Sequence, residues 1–128
     1  GPAFGTINCP GNSSSAITVG AVYLDGKKLA DISSRGRYGQ SKPDLVTSGY
    51  IYVKDTKDIQ YGTSFAAPII TGVAASIFDL YKEPNLVKSI IMNATDNIGY
   101  PYHEQGKGMF NIKKLVEVLS VGETNYRN

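Results

Sequence analysis

Gly62-Thr63-Ser64-Phe65-Ala66-Ala67-Pro68 opens an apolar run that carries no charge before Asp79. A glycine permits a sharp turn out of a strand, and a serine just beyond it can open a helix. There the hydroxyl is exposed and the backbone N–H belongs to the unpaired donors of the first turn, which suit an oxyanion. From Phe65 to Leu80 the apolar residues cover most of a helical wheel, so the pattern predicts a helix over Ser64–Tyr81 buried on every side. Pro68 fits its first turn, and Ala66, Ala67, Gly72, Ala74 and Ala75 allow close approach of a neighbouring backbone. On Gly62-Thr63-Ser64 alone two readings stand. Ser64 is a nucleophile, or Thr63 or Ser64 is simply the N-cap of a core helix.

Working outward, Ala16–Val22 reads as a strand buried on both faces, ended by the turn signal Asp25-Gly26. Leu29–Ser33 is a second short strand and Ser34–Asp44 a surface loop. Leu45–Thr47 and Tyr50–Val53 are two more strands, with Gly49 bending the chain between them. Downstream, Pro84–Ala94 and Ile112–Leu119 have helical apolar spacing, separated by a Gly/Tyr-rich loop over Asn97–Gly108. Residues 1–121 then form one structural unit, and 122–128 a polar, frayed tail. Strands followed by helices point to the late part of an α/β domain.

Composition narrows the function. Of 128 residues 41% are apolar and 19% charged, enough for a core and wrong for intrinsic disorder. Thirteen basic against eleven acidic residues leave +2, which argues against nucleic acid or an anionic membrane as partner. One cysteine excludes a disulfide framework, and one histidine a histidine cluster, so no metal site is expected within the chain. Gly1–Leu24 and Ile59–Phe78 are uncharged, yet glycine, proline and polar residues break both as membrane spans. The chain is not expected to begin with a signal peptide, because its uncharged start shows no positively charged segment ahead of an apolar run. An uncharged start reads as the interior of a longer domain, because free ends usually lie in water.

Four stretches, in order, resemble the subtilisin-like serine peptidases. Pro10-Gly11 with Ala16-Ile17-Thr18-Val19-Gly20-Ala21 is similar to the family's proline–glycine turn and V-G-A strand. Ser33-Ser34-Arg35-Gly36 with Lys42-Pro43-Asp44 resembles its S-S-R-G and K-P-D segment. Gly62–Pro68 resembles its G-T-S-x-A-A-P nucleophile motif, and Gly106-Lys107-Gly108-Met109-Phe110-Asn111 its G-x-G-x-x-N lead-in to the last helix. The resemblance runs from Gly1 to about Leu119. It implies the C-terminal part of a three-layer α/β/α fold, with a mostly parallel sheet and a buried central helix starting at the nucleophile.

By that resemblance Ser64 is the nucleophile of a peptide-bond hydrolase and its own N–H one oxyanion donor. Gly62 and Thr63 belong to the substrate-binding surface. Asn8 and Cys9, with Pro10, form one wall of the pocket for the residue before the scissile bond, and the Cys9–Pro10 bond is expected cis. Many members have glycine at the position of Asn8 and tyrosine at that of Cys9. The family's aspartate and histidine precede the serine, as does the asparagine that supplies the second oxyanion donor. The implied partners are therefore a peptide or protein substrate and the upstream half of the same catalytic domain. No cofactor is expected, calcium in the complete domain excepted, and the family implies secretion. The chain alone is expected to be inactive. The alternative is a non-catalytic subtilase-like module that binds peptides or a partner protein.

His103 lacks the family's H-G-T-H context and reads as a surface loop histidine, while Asp55 and Asp58 read as solvated loop charges. Cys9 has no neighbouring base and reads as pocket wall rather than rival nucleophile.

Overall fold

The computed structural model describes residues 5–7, 11, 16–23, 25–36, 41–55 and 57–127; for 51–53, 60–61 and 121–127 it describes the backbone alone. The chain runs β1 (Val19–Val22), β2 (Leu45–Ser48), β3 (Tyr50–Val53), β4 (Asp58–Tyr61), α1 (Thr63–Tyr81) and α2 (Pro84–Asn93). It continues through β5 (Thr95–Asp96), α3 (Tyr102–Gln105), β6 (Met109–Phe110) and α4 (Ile112–Arg127).

Four strands make a mostly parallel sheet in the order β1-β2-β6-β5. β1 and β2 pair in parallel from Val19–Leu45 to Val22–Ser48, β6 joins β2 in parallel at Val46–Met109, and β5 runs antiparallel to β6. β3 and β4 form a separate antiparallel hairpin. Successive side chains of a strand point to opposite faces, so β2 contributes to two cores. Leu45 joins Ile70 and Ile77 of α1, Val87, Ile90 and Ile91 of α2, and Leu115 of α4 in the main cluster. Val46 packs on the other face with Val22 and Leu29, against Ile98, Tyr100 and Met109. One face of the sheet is thus covered by helices, and the described residues cover the other with loops. The fold is α/β, with a mostly parallel sheet.

Several expectations change. The helix predicted to be buried all round is buried along one stripe, at Ala66, Ile70 and Ile77. Among the described residues it packs chiefly on β1, β2, β3 and α2, and Ile69, Phe78 and Leu80 are exposed. Pro68 is the sixth helical residue rather than part of the first turn. Its missing N–H would otherwise reach the Ser64 carbonyl one turn back. The strand read over Ala16–Val22 begins only at Val19, and that over Leu29–Ser33 shrinks to one bridge between Leu29 and Val22. Ser34–Asp44 is not simply surface, since Gly36 and Lys42–Asp44 are buried. The backbone of α4 stays helical through Arg127, beyond the end read at Leu119, because extending an existing helix costs little compared with nucleating one.

Four elements, β4, β5, α3 and β6, had no sequence signal strong enough to read; α3 is a single turn of four residues inside the stretch read as a loop. The β3–β4 turn uses Lys57 at positive φ where glycine or asparagine would have announced a hairpin. Asp58 consequently lies on a strand, though exposed as expected, while Asp55 lies in the turn. β5 and β6 are two residues each, too short for any periodicity.

Candidate active site

The position of Ser64 is set two strands away. Gly49, between β2 and β3, donates its N–H to the Val22 carbonyl (3.2 Å) and accepts from the Gly62 N–H (2.8 Å). A Cβ at Gly49 would lie 2.5 Å from the Ala21 Cβ and 2.8 Å from the Gly62 carbonyl oxygen, so a side chain there would push the start of α1 off β1. Gly62 is under no such constraint. Its backbone is extended, and an added Cβ would meet nothing closer than the Phe65 ring at 3.6 Å. The glycine that the turn requires is Gly49.

Gly62 is the N-cap of α1 and makes no side-chain cap bond; its carbonyl accepts from Phe65 N–H (3.0 Å) and Ala66 N–H (3.3 Å). Thr63 and Ser64 are therefore the first two helical residues, and the N-cap reading of either one fails. Their N–H groups are among the donors that helix geometry leaves unpaired. No acidic residue occupies the first turn to compete for them. Ser64 is exposed. Because Pro68 donates nothing, the Ser64 carbonyl is also without its usual helical partner.

Ser64, Thr63 and Ala67 form one side of a cleft of about 380 Å³. The opposite side is the segment Ala16–Val19 together with Gly11. A second cavity of about 230 Å³ continues from it past Thr63 and Thr18 to Thr6, Ile7 and Ser34. Asn8, Cys9 and Pro10, with the Cys9–Pro10 bond, lie outside the described residues. Their neighbours Ile7 and Gly11 both border the second cavity, and Gly11 also borders the cleft at Ser64. Nothing in the sequence marked Ile17, Thr18 or Ala67 as cleft residues. They belong to apolar runs whose neighbours are core, and only the packing turns them toward Ser64.

His103 is not a surface loop residue. It lies in α3 and is buried, its carbonyl accepting from the Gly36 N–H (2.8 Å), while the adjacent Glu104 pairs with the Arg35 guanidinium. The 33–36 segment closes over it. His103 lines neither cavity, so it does not join Ser64. Among the described residues no group of three His, Cys, Asp or Glu side chains comes together as a metal site.

The other motifs dock onto one another. Gly106 has φ +61°, and an added Cβ there would overlap the Pro43 and Asp44 carbonyls, so the G-x-G stretch packs directly on the K-P-D stretch. Asn111 caps α4, its side-chain oxygen accepting from Lys113 N–H (2.9 Å) while its amide donates to Asp96 (2.7 Å). Ser33 accepts from Ala21 N–H (3.0 Å), tying the S-S-R-G stretch to β1. These motifs, far apart in the chain, thus pack on one another and on β1.

The sequence pattern of the subtilase family matches residues 1–109. The chain belongs to the subtilase family. This subtilase is 30% identical to the membrane-bound transcription factor site-1 protease of Mus musculus over 138 residues, covering 94% of the chain and 13% of that protein. Serine protease AprX of Bacillus subtilis is 33% identical over 124 residues, covering 75% of the chain and 28% of that protein. The solved structure of the Clostridium perfringens CspB protease superposes with a TM-score of 0.73 at 25% identity, covering 91% of the chain and 29% of its own. The prenylagaramide maturation protease PagA gives 0.69 at 25% identity, covering 91% and 46%. The subtilase chain spans less than half the length of each of these relatives.

Proposed function

We propose that residues 1–128 are the serine-bearing part of a subtilisin-like endopeptidase, with Ser64 attacking the carbonyl of a peptide bond. The observation that carries this reading is Ser64 itself: exposed, second in α1, free of capping duty and facing a cleft. The hydroxyl adds to the carbonyl carbon as a base removes its proton. The oxyanion that forms accepts from the Ser64 N–H at the helix start, and the amine leaves with a proton returned by the base. Acyl-Ser64 is then hydrolysed by water.

A serine hydroxyl is a poor nucleophile without such a base, and no histidine lines the cleft among the described residues. The base, its orienting carboxylate and a second oxyanion donor come, in this reading, from the upstream half of the same catalytic domain. The open side of α1 is where that half packs. The helix is long and apolar enough to cross a bilayer by length and composition, but its inner stripe lies on strands of the sheet, which favours a protein layer over lipid.

The test is labelling with a fluorophosphonate probe. The 128-residue chain alone is expected neither to label nor to hydrolyse peptides. Joined to the upstream half it should do both, and Ser64→Ala should abolish both again. A complete polypeptide that stays inert would leave the non-catalytic peptide-binding module as the better reading.

A further inference from the structure

Most of the wall opposite Ser64 lies just outside the sheet and is held by charged side chains as well as by backbone bonds to Asp44. Ala16–Thr18 precedes β1 and is not part of the sheet, so its backbone polar groups need other partners. The Ala16 carbonyl accepts from Lys42 Nζ (2.8 Å) and from Lys88 Nζ (3.0 Å). The Thr18 N–H donates to Asp44 Oδ2 (2.7 Å), and the Thr18 carbonyl accepts from the Asp44 N–H (2.8 Å). Lys42 Nζ also donates to Asp44 Oδ2 (2.6 Å), and Lys88 Nζ stands 3.6 Å from the other carboxylate oxygen. The chain reaches one step further: the Thr18 hydroxyl donates to the Gly11 carbonyl, and Gly11 lies on the same wall.

Lys42 and Asp44 side chains are only 5% and 4% exposed. Burying two charges gains little stability over well-packed apolar residues, because desolvation offsets the attraction. What this pair does that apolar side chains could not is bind two backbone groups of a segment outside the sheet, the Ala16 carbonyl with a cation and the Thr18 N–H with an anion. Tyr102 registers the same charge: its phenol pKa is raised by burial and, second, by the Asp44 carboxylate.

We propose that Asp44, held by Lys42 and Lys88, is a positioning residue for substrate, acting through Thr18 to set the distance between the 16–18 wall and Ser64. This deepens the reading of Ser64 as nucleophile and rests on it. Asp44 touches no reacting atom, so its loss should be felt in substrate binding more than in the chemical step.

The experiment uses the complete polypeptide, with active sites counted by the fluorophosphonate probe, and peptide substrates differing in the residue before the scissile bond. Asp44→Asn should raise KM about tenfold, the scale on which sub-ångström misplacement acts, with a smaller change in kcat and an altered order of preference among the peptides. Asp44→Glu should recover part of the loss. Lys88→Met keeps the Lys42–Asp44 pair and removes one bond to Ala16, so it decides the matter if Asp44→Asn fails to fold; a KM rise of severalfold is expected. Unsubstituted protein that does not label defeats the Ser64 reading. Labelling protein in which every foldable variant keeps its KM and peptide preference, even with a lowered melting temperature, overturns the positioning role.

Discussion

The two sides of α1 have similar side chains and opposite surroundings. On one, Ile70 is 2% exposed and packs with β2 and α2; on the other, Ile69 and Leu80 are 43% and 61% exposed. The exposed side continues into an apolar groove of about 410 Å³ against Ile112, Leu115 and Leu119 of α4. An exposed apolar residue is ordinary when single, but a contiguous face of them marks a surface built to be covered. The difference between the sides therefore lies in what stands next to the helix and not in what the helix is made of. In the reading of the chain as part of a larger catalytic domain, the second side is the seam.

Three substitutions probe that contrast. The largest effect is expected at Ile70→Ala, which empties a fully packed site and should cost about 2–5 kcal/mol, read from the urea midpoint. A cost below 1 kcal/mol, on the same scale, would mean that the inner side is no better packed than the outer. Ile69→Asp comes next and is a comparison between contexts. In the 128-residue chain the aspartate meets water and should cost no more than about 0.5 kcal/mol, whereas in the complete polypeptide a buried unpaired charge should cost at least about 2 kcal/mol. Equal costs in both would break the idea that this side is covered. The smallest effect is at Gly72→Ala. A Cβ there meets nothing within 4 Å, so the isolated chain should gain about 0.5–1 kcal/mol from better helix propensity. In the complete polypeptide that gain should shrink or reverse as the added methyl meets the covering layer.

Much of the architecture could be read from local patterns. The long helix, α2, and the strands around Val19–Val22, Leu45–Ser48 and Tyr50–Val53 all announce themselves through apolar runs and their punctuation. The hairpin strand at Asp58–Tyr61 did not, because Lys57 adopts a conformation that its side chain does not advertise. His103 misled for a related reason. A polar residue in a Gly/Tyr-rich stretch reads as solvated, yet the Arg35–Glu104 ion pair draws that stretch against Gly36 and buries it.

The candidate site divides in the same way. Gly62-Thr63-Ser64 and the apolar run behind it mark a helix start with an exposed serine, because helix termini leave N–H groups unpaired whatever the rest of the chain does. That consequence of local geometry belongs to the sequence by itself, as do the balanced charge and the absence of a histidine cluster. Only the tertiary structure decided that Gly49 rather than Gly62 is the sterically required glycine, that Ala16–Thr18 faces Ser64, and that Lys42, Asp44 and Lys88 converge on that segment. Each of these depends on residues far apart in the chain meeting across a strand or a helix, and close packing, unlike periodicity, leaves no trace in the order of neighbouring residues.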